Sequence, residues 1–486
     1  MINKATHRPI LALTVALVLG LSVGATGESF AAQPSSPALG PPVVEGMGPA
    51  RRLPSRQNDG EAATSLRPTT LVPSPSFASP FKAHLGDNGD YYIYLPLIWR
   101  PETEARALWV TRWDYSSAAD VETLVENAAA AGFNTVLFQV RGTADAYYAS
   151  DIEPWAARLS GTLGVDPGWD PLQTAVSAAH ANGVELHAYI NVYPVWVRAA
   201  DGYPPDLAPP RDARPKHLFW TLSERYDPWN VWRITDSSGT PMSLYGTGYL
   251  WPTPALDDVE DRVVAVAADL VSRYDVDGIH LDLVRYPGPD YSYDPFTEAA
   301  LDATGLSRAE WQRQRVTQLV NRIYSEVILP RADVWLSAAV WPVYEDKWGW
   351  NGLEGYADLY QDSQGWVQGG VIDAILPMIY PSNVFASPDP FPPDRFRLLT
   401  SDFLSNSGGR HVLPGISAQY DTFDQIAQRI AVARDEGARG HAIFSARLVT
   451  GQYACKNRFP CHDPYWDDFA AGPYARPLHV PSLPWR

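Results

Sequence analysis

From Ala105 onward the chain repeats one pattern eight times: a short run of β-branched, aromatic or other apolar residues, then a longer stretch with helical spacing. Strands that alternate with helices lie parallel in one sheet, because each helix carries the chain back to the edge where it began. The predicted strands are Ala107–Trp113, Thr135–Arg141, Glu185–Val192, Gly278–Val284, Val334–Trp341, Ala374–Tyr380, Val412–Gln419 and His441–Ala446. Eight is the number that closes an α/β barrel, so the expected fold is a (β/α)8 TIM barrel.

The intervening segments carry helix punctuation. Asp170 is a good N-cap, Pro171 suits the first helical position, and Leu172, Ala175, Val176 and Ala179 share one face before Gly183 stops the turn. Ser117 with Asp120 opens the first helix, and Ser307 with Glu310 has the spacing of a capping box. Phe423, Ile426 and Ile430 keep the same period up to Gly437. Residues 194–254, rich in Pro, Trp and Tyr, have no such period and are expected to form a large loop above the third strand.

The rest of the chain divides around this unit. Lys4 and Arg8 precede an apolar run, Ile10 to Val23, and Ser29-Phe30-Ala31 suits a cleavage site, so residues 1–31 read as a signal peptide. An uncleaved membrane anchor is the alternative; no other segment is long and apolar enough to span a bilayer. Residues 32–104 read as a Pro- and Ser-rich linker that carries a short apolar run, Tyr91 to Ile98. The barrel takes residues 105–470 and a tail 471–486. Export places the chain outside the cell or on its surface, where Cys455 and Cys461 would form a small disulfide loop. A net charge of −17 argues against nucleic acid, whose phosphates need clustered Lys and Arg. Nothing in the sequence sets an oligomeric state.

Side-chain alternation assigns the barrel interior. In the fourth strand Ile279, Leu281 and Leu283 face the helices, which leaves His280 and Asp282 inside. The same parity turns inward Gln139 and Arg141, then His187, Tyr189 and Asn191, then Ser337 and Trp341, Met378 and Tyr380, Ser417 and Gln419, and Ser445. An interior that serves structure alone would be Val, Ile and Leu. This one is expected to be polar from several strands, most of all toward their C-terminal ends, where active sites of this fold lie.

Several blocks carry a resemblance. Phe133-Asn134-Thr135-Val136-Leu137-Phe138-Gln139-Val140-Arg141, Asp166-Pro167-Gly168-Trp169-Asp170-Pro171-Leu172, Glu185-Leu186-His187-Ala188-Tyr189-Ile190-Asn191 and Tyr274-Asp275-Val276-Asp277-Gly278-Ile279-His280-Leu281-Asp282 follow one another in order. Gln361-Asp362, Trp366, Gly370, Asp373, Pro377-Met378 and Tyr380 complete the set. The sequence resembles the bacterial glycosyl-hydrolase-like family 10, envelope-associated barrels. The resemblance implies a TIM barrel and hydrolysis of glycosidic bonds, with peptidoglycan glycan strands linked to some members. Many relatives have a second acidic residue after the fourth-strand Asp, and Leu283 stands in that place here.

Glycoside hydrolysis uses two carboxyl groups flanking the bond. Asp282 is the first candidate, with Arg285 and His280 expected to hold it ionised, or else to be anchored by it. For its partner the sequence offers Asp362, which could equally be a helix N-cap, and Glu345 on the loop after Trp341. Asp114 and Asp145 are reserves, whereas Asp275, Asp277 and Glu185 fall at the barrel floor. Substrate contacts are expected from Gln139, Arg141, His187, Tyr189, Asn191, His280, Arg285, Trp341, Tyr380 and Gln419, or these form an interior network that orders the barrel. Trp113, Trp196, Trp341 and Trp348 could stack on sugar rings or simply pack. No cofactor is called for. A second reading has His187, His280, Asp282 and His441 holding a zinc ion for a polysaccharide deacetylase or other metallohydrolase, and a third has a silent glycan-binding barrel.

Overall fold

The computed structural model describes Ala83–Leu85, Tyr91–Ile93 and residues 103–486, apart from 200–206, 227–230, 247, 381–388, 421 and 452–461. The segment expected to be a signal peptide, most of the expected linker, and both cysteines lie outside the described residues. Of the apolar run in the linker, Tyr91–Ile93 is a strand paired antiparallel with Ala83–Leu85.

The barrel strands are β1 (Ala105–Val110), β2 (Thr135–Arg141), β3 (Glu185–Asn191), β4 (Gly278–Asp282), β5 (Trp335–Val340), β6 (Ala374–Pro377), β7 and β8 (Gly440–Phe444). β7 comes in two pieces, His411–Val412 and Gly415–Ser417. The first piece pairs with β6 and the second with β8, and β8 pairs with β1, all parallel. Only Leu413 and Pro414 separate the pieces, so the sheet returns to its start. Pro414 has no N–H to give a ladder and marks the point where the strand passes from one neighbour to the other. Its carbonyl still accepts from the N–H of Ala442 at 3.1 Å.

The predicted helix starts are present. Ser117 and Asp120 form a capping box, as do Ser307 and Glu310, and Asp170 accepts from the N–H of Gln173. The helices turn their apolar faces onto the outer face of the sheet, where Ile279, Leu281 and Leu283 are buried as alternation required. Residues 194–254 hold more order than a loop: helix Leu218–Tyr226 and a ribbon, Trp196–Val197 with Tyr249–Leu250.

The interior differs from the expected polar lining. Its lower layers are apolar, with Ala105, Ala107, Trp109, Leu137, Trp335, Ala339, Ala374, Leu376, Leu413 and Ala442 in one cluster. The alanines leave room for two indoles, Trp109 and Trp335. The floor is closed by the C-terminal segment. Thr103 bridges His479, Val480 and Leu483 pack against the interior cluster, and Arg486 pairs with the buried Asp373. No described helix is long and apolar enough to cross a membrane.

Candidate active site

Asp282 ends β4 with its side chain inside the barrel. Its Oδ2 accepts from the Tyr189 hydroxyl at 2.6 Å, and its Oδ1 from the N–H of Leu283 at 2.6 Å. Leu283 takes a left-handed backbone, φ 53°, which an L-leucine adopts only at a cost, and this turn aims its N–H back at the carboxylate. Burial raises the proton affinity of Asp282 above the ordinary carboxylate range, although Tyr189, Leu283, Arg285 and Arg112 all pull the other way. Arg285 pulls toward the ionised form as expected and His280 does not contribute, but burial outweighs the pull.

His280, one layer below, does not touch Asp282. Its Nε2 accepts from the indole N–H of Trp109 at 3.0 Å. An indole can only donate, so Nδ1 carries the hydrogen and gives it to Ser337 Oγ at 2.9 Å. Burial, with His187 nearby, lowers the pKa well below the usual value and leaves the ring neutral. Both nitrogens are spent inside the barrel, so His280 cannot meet a substrate.

The other predicted contacts fall into two groups. Gln139, 2% exposed, gives its amide to Asn191 at 3.1 Å and accepts from the N–H of Arg112, while Asn191 gives to the Gly142 carbonyl. They order the rim. Arg141 is fully buried in an ion pair with Glu153, Nε to Oε2 2.8 Å, and also donates to the carbonyls of Asn191 and Val192. His187 lies near the floor beside Trp335, with Nε2 3.4 Å from Glu185. These residues build the wall. Tyr189, Arg285 and Tyr380 lie about Asp282: Tyr380 feels its charge and stacks on Phe444, and Arg285 lies over Trp341 with 5.3 Å to the ring centroid. Gln419 is half-buried near the end of β7, its backbone N–H held by Ser417.

Asp362 caps helix Ser363–Gln368, accepting from the N–H of Gly365 at 3.0 Å and from the Tyr344 hydroxyl at 2.7 Å. Glu345, next to Tyr344 in the same β5 loop, is exposed. That loop is laced to the end of β4, since Gln361 holds the N–H of Trp341 at 2.7 Å and donates to the Val284 carbonyl. Asp114 is raised to about 6 by burial, yet it serves its own turn through Thr111 and pairs with Arg447 at 3.5 Å. Asp145 accepts from the N–H groups of Gly142 and Thr143, a loop role. At the floor, Asp277 holds the N–H of Leu186 and His180.

Trp113 lies under the guanidinium groups of Arg112 and Arg158, Trp196 meets His217 edge-on, and Trp348 stacks on Trp350 at 4.6 Å. His441 bonds Tyr474 beside Glu104, far from the Asp282 environment, and no described residues form a group of three or more potential metal ligands. The four residues of the zinc reading are not gathered. Two members of the mouth escaped the sequence reading. Arg112 follows the end of β1, is 4% exposed, and donates to the Tyr249 hydroxyl at 3.0 Å. Its charge at a strand's C-terminal end was a signal; Tyr249, inside the aperiodic insertion, gave none.

The glycosyl hydrolase-like 10 family matches residues 104–391, more than half of the sequence and the stretch that supplies β1 to β6 and the Asp282 environment. The chain belongs to the glycosyl hydrolase-like 10 family. Membership places it among the glycosidases. Similar relatives include glycosyl hydrolase YngK of Bacillus subtilis strain 168, 28% identical over 446 residues, covering 82% of this chain and 77% of that protein. Glycosyl hydrolase DigH of Escherichia coli K12 is 31% identical over 261 residues, 51% of this chain and 55% of the relative. The match thus spans about half the length of that second relative. The PgaB (BpsB) glycoside hydrolase domain of Bordetella bronchiseptica shares the fold, with TM-score 0.52 at 13% identity over 74% of this chain and 99% of that one.

Proposed function

We propose that this protein is an exported hydrolase of O-glycosidic bonds in an extracellular polysaccharide, with cell-wall glycan the first substrate to try, and that Asp282 is its reactive carboxylate. One observation carries the reading. Asp282 is a buried carboxyl of raised proton affinity at the C-terminal end of a barrel strand, held by Tyr189 and set among Arg112, Arg285 and Tyr380. A carboxyl so poised suits either half of the reaction. Protonated, it gives its hydrogen to the glycosidic oxygen as the bond to the anomeric carbon breaks; ionised, it attacks that carbon or draws a proton from the attacking water.

The partner we assign is Glu345. Its loop flanks β4 through Gln361, and Asp362 fixes Tyr344, the residue before it, while capping its own helix. Asp362 is then a positioning residue. The signal-like N-terminus supports export.

The test is turnover of purified cell-wall glycan strands, with products read by mass spectrometry. Asp282→Asn should cost about 10²–10⁴-fold, the range for a lost general acid or base. Glu345→Gln should cost a similar factor and recover in part with added azide or formate, whereas Asp362→Asn should recover with neither. Full turnover by Asp282→Asn would refute the assignment, and inactivation by a chelator would revive the metal reading.

A further inference from the structure

Arg285, at the mouth, keeps a buried donor without a partner among the described residues. It is 7% exposed, its Nη1 donates to the Tyr286 carbonyl at 3.1 Å, and its buried Nε–H has no acceptor among the described residues. Trp341 backs the plane of the guanidinium. Its electrostatic partner is Asp282, but no ion pair joins them, because the oxygens of Asp282 are taken up by Tyr189 and Leu283. Asp282 is also shared with Arg112, which has Asp145 and Tyr249 besides. A buried cation with an unpartnered N–H is costly to keep in a free protein, and the cost is recovered when an anion reaches it.

We propose that Arg285 forms an anion subsite beside Asp282 and binds a carboxylate borne by the sugar ring at the cleavage point, so that the substrate is an acidic glycan. This rests on the glycosidase reading above. The shape of the donor selects the class. The Nε side of a guanidinium offers two parallel N–H groups, the spacing of a planar carboxylate. A phosphate would bring a second negative charge toward Asp282 with one open guanidinium to meet it. A neutral hydroxyl would leave the buried charge uncompensated. Trp341, behind the guanidinium, keeps water from that face and stiffens the fork.

Carboxylated sugars come in two forms: uronic acids carry the group on C6, and muramic acids on an ether at O3. Saturation-transfer NMR at low salt on the intact protein compares glucuronate with glucose and N-acetylmuramic acid with N-acetylglucosamine. At least one acid should bind about tenfold more tightly than its neutral partner, the worth of a charge-assisted hydrogen bond. The preferred acid identifies the source of the carboxylate. Arg285→Gln should abolish the preference and Arg285→Lys keep part of it. Asp282→Asn, which removes turnover and the competing negative charge, should strengthen it. Binding is thus read without hydrolysis, and a failed glycosidase assay leaves this result intact. Equal binding of acid and neutral sugars to the unmutated protein, no binding by any of the four, or an undiminished preference in Arg285→Gln would each overturn the proposal.

Discussion

The hydroxyl of Tyr189 donates to Oδ2 of Asp282 across 2.6 Å, from the strand adjacent to the one Asp282 ends. A donor to a carboxylate favours its charged form, and here it opposes burial. Tyr189→Phe should raise the proton affinity of Asp282 further and move its limb of the pH profile of kcat/KM to higher pH. Turnover should fall roughly ten- to a hundredfold, the scale for one preorganised donor or slightly less. A profile superimposable on that of the unmutated protein would show that the bond has no part in setting the charge of Asp282.

Asp282 also sets a pH dependence of stability. Its proton affinity is higher folded than unfolded, so its favourable contribution is complete below the ordinary value of 3.8 and is lost as pH rises through the folded value. Once pH passes the folded value, the ionised group burdens the fold. Asp282→Asn should therefore raise Tm at pH above the folded value, the direction that a raised proton affinity requires. The gain should close as pH falls toward 3.8, which paired thermal melts would follow.

Arg141 and Glu153 are both fully buried and joined through Nε–Oε2 and Nη2–Oε1 bonds of 2.8 Å each. Removing one partner leaves the other charged in an apolar wall. Glu153→Ala should therefore cost about 3–5 kcal/mol of stability, read by denaturant unfolding. The folded fraction should retain substrate affinity, because neither side chain reaches the mouth.

The bonding around His280 fixes a neutral ring with the hydrogen on Nδ1. Nitrogen-15 spectra of the ring should show that tautomer and no titration between roughly pH 5 and 8, the span where an ordinary histidine changes charge. A titration in that span would mean that Trp109 does not hold Nε2.

Asp373 gathers the barrel floor. It accepts from the Leu336 N–H at 2.8 Å and the Trp485 indole at 2.8 Å, and pairs with Arg486 and Arg410. Arg486→Ala should lower stability by about 1–3 kcal/mol, since Arg410 remains to share the charge. Its kcat should not change, because the floor lies at the opposite end of the strands from Asp282.

What the sequence disclosed followed period. β2 runs over Thr135–Arg141 as expected, and the inward turn of Asp282 and outward turn of Leu281 came from alternation alone. Strand ends were less legible. β4 and β6 stop at Asp282 and Pro377, short of Val284 and Tyr380, because the chain there leaves the ladder to form the mouth while keeping strand-like composition. Burial by distant residues was invisible to local pattern. Arg141 ends β2 and Arg285 follows the end of β4, yet Glu153, within the β2 loop, pairs with the first, while the second gives only to the Tyr286 carbonyl among the described residues. Asp362 shows the same limit, since only the folded loop reveals that Tyr344 and a helix end share it.

The route of the tail beneath the barrel has a practical reading. Arg486 lies at the floor while Asp282 opens at the other end. Whatever is joined beyond Arg486, whether a further module, an affinity handle or a solid support, departs from the side away from Asp282. A protein tethered by that end would present its cleft outward to an insoluble polymer, as a brush presents its bristles, and would do so in one orientation.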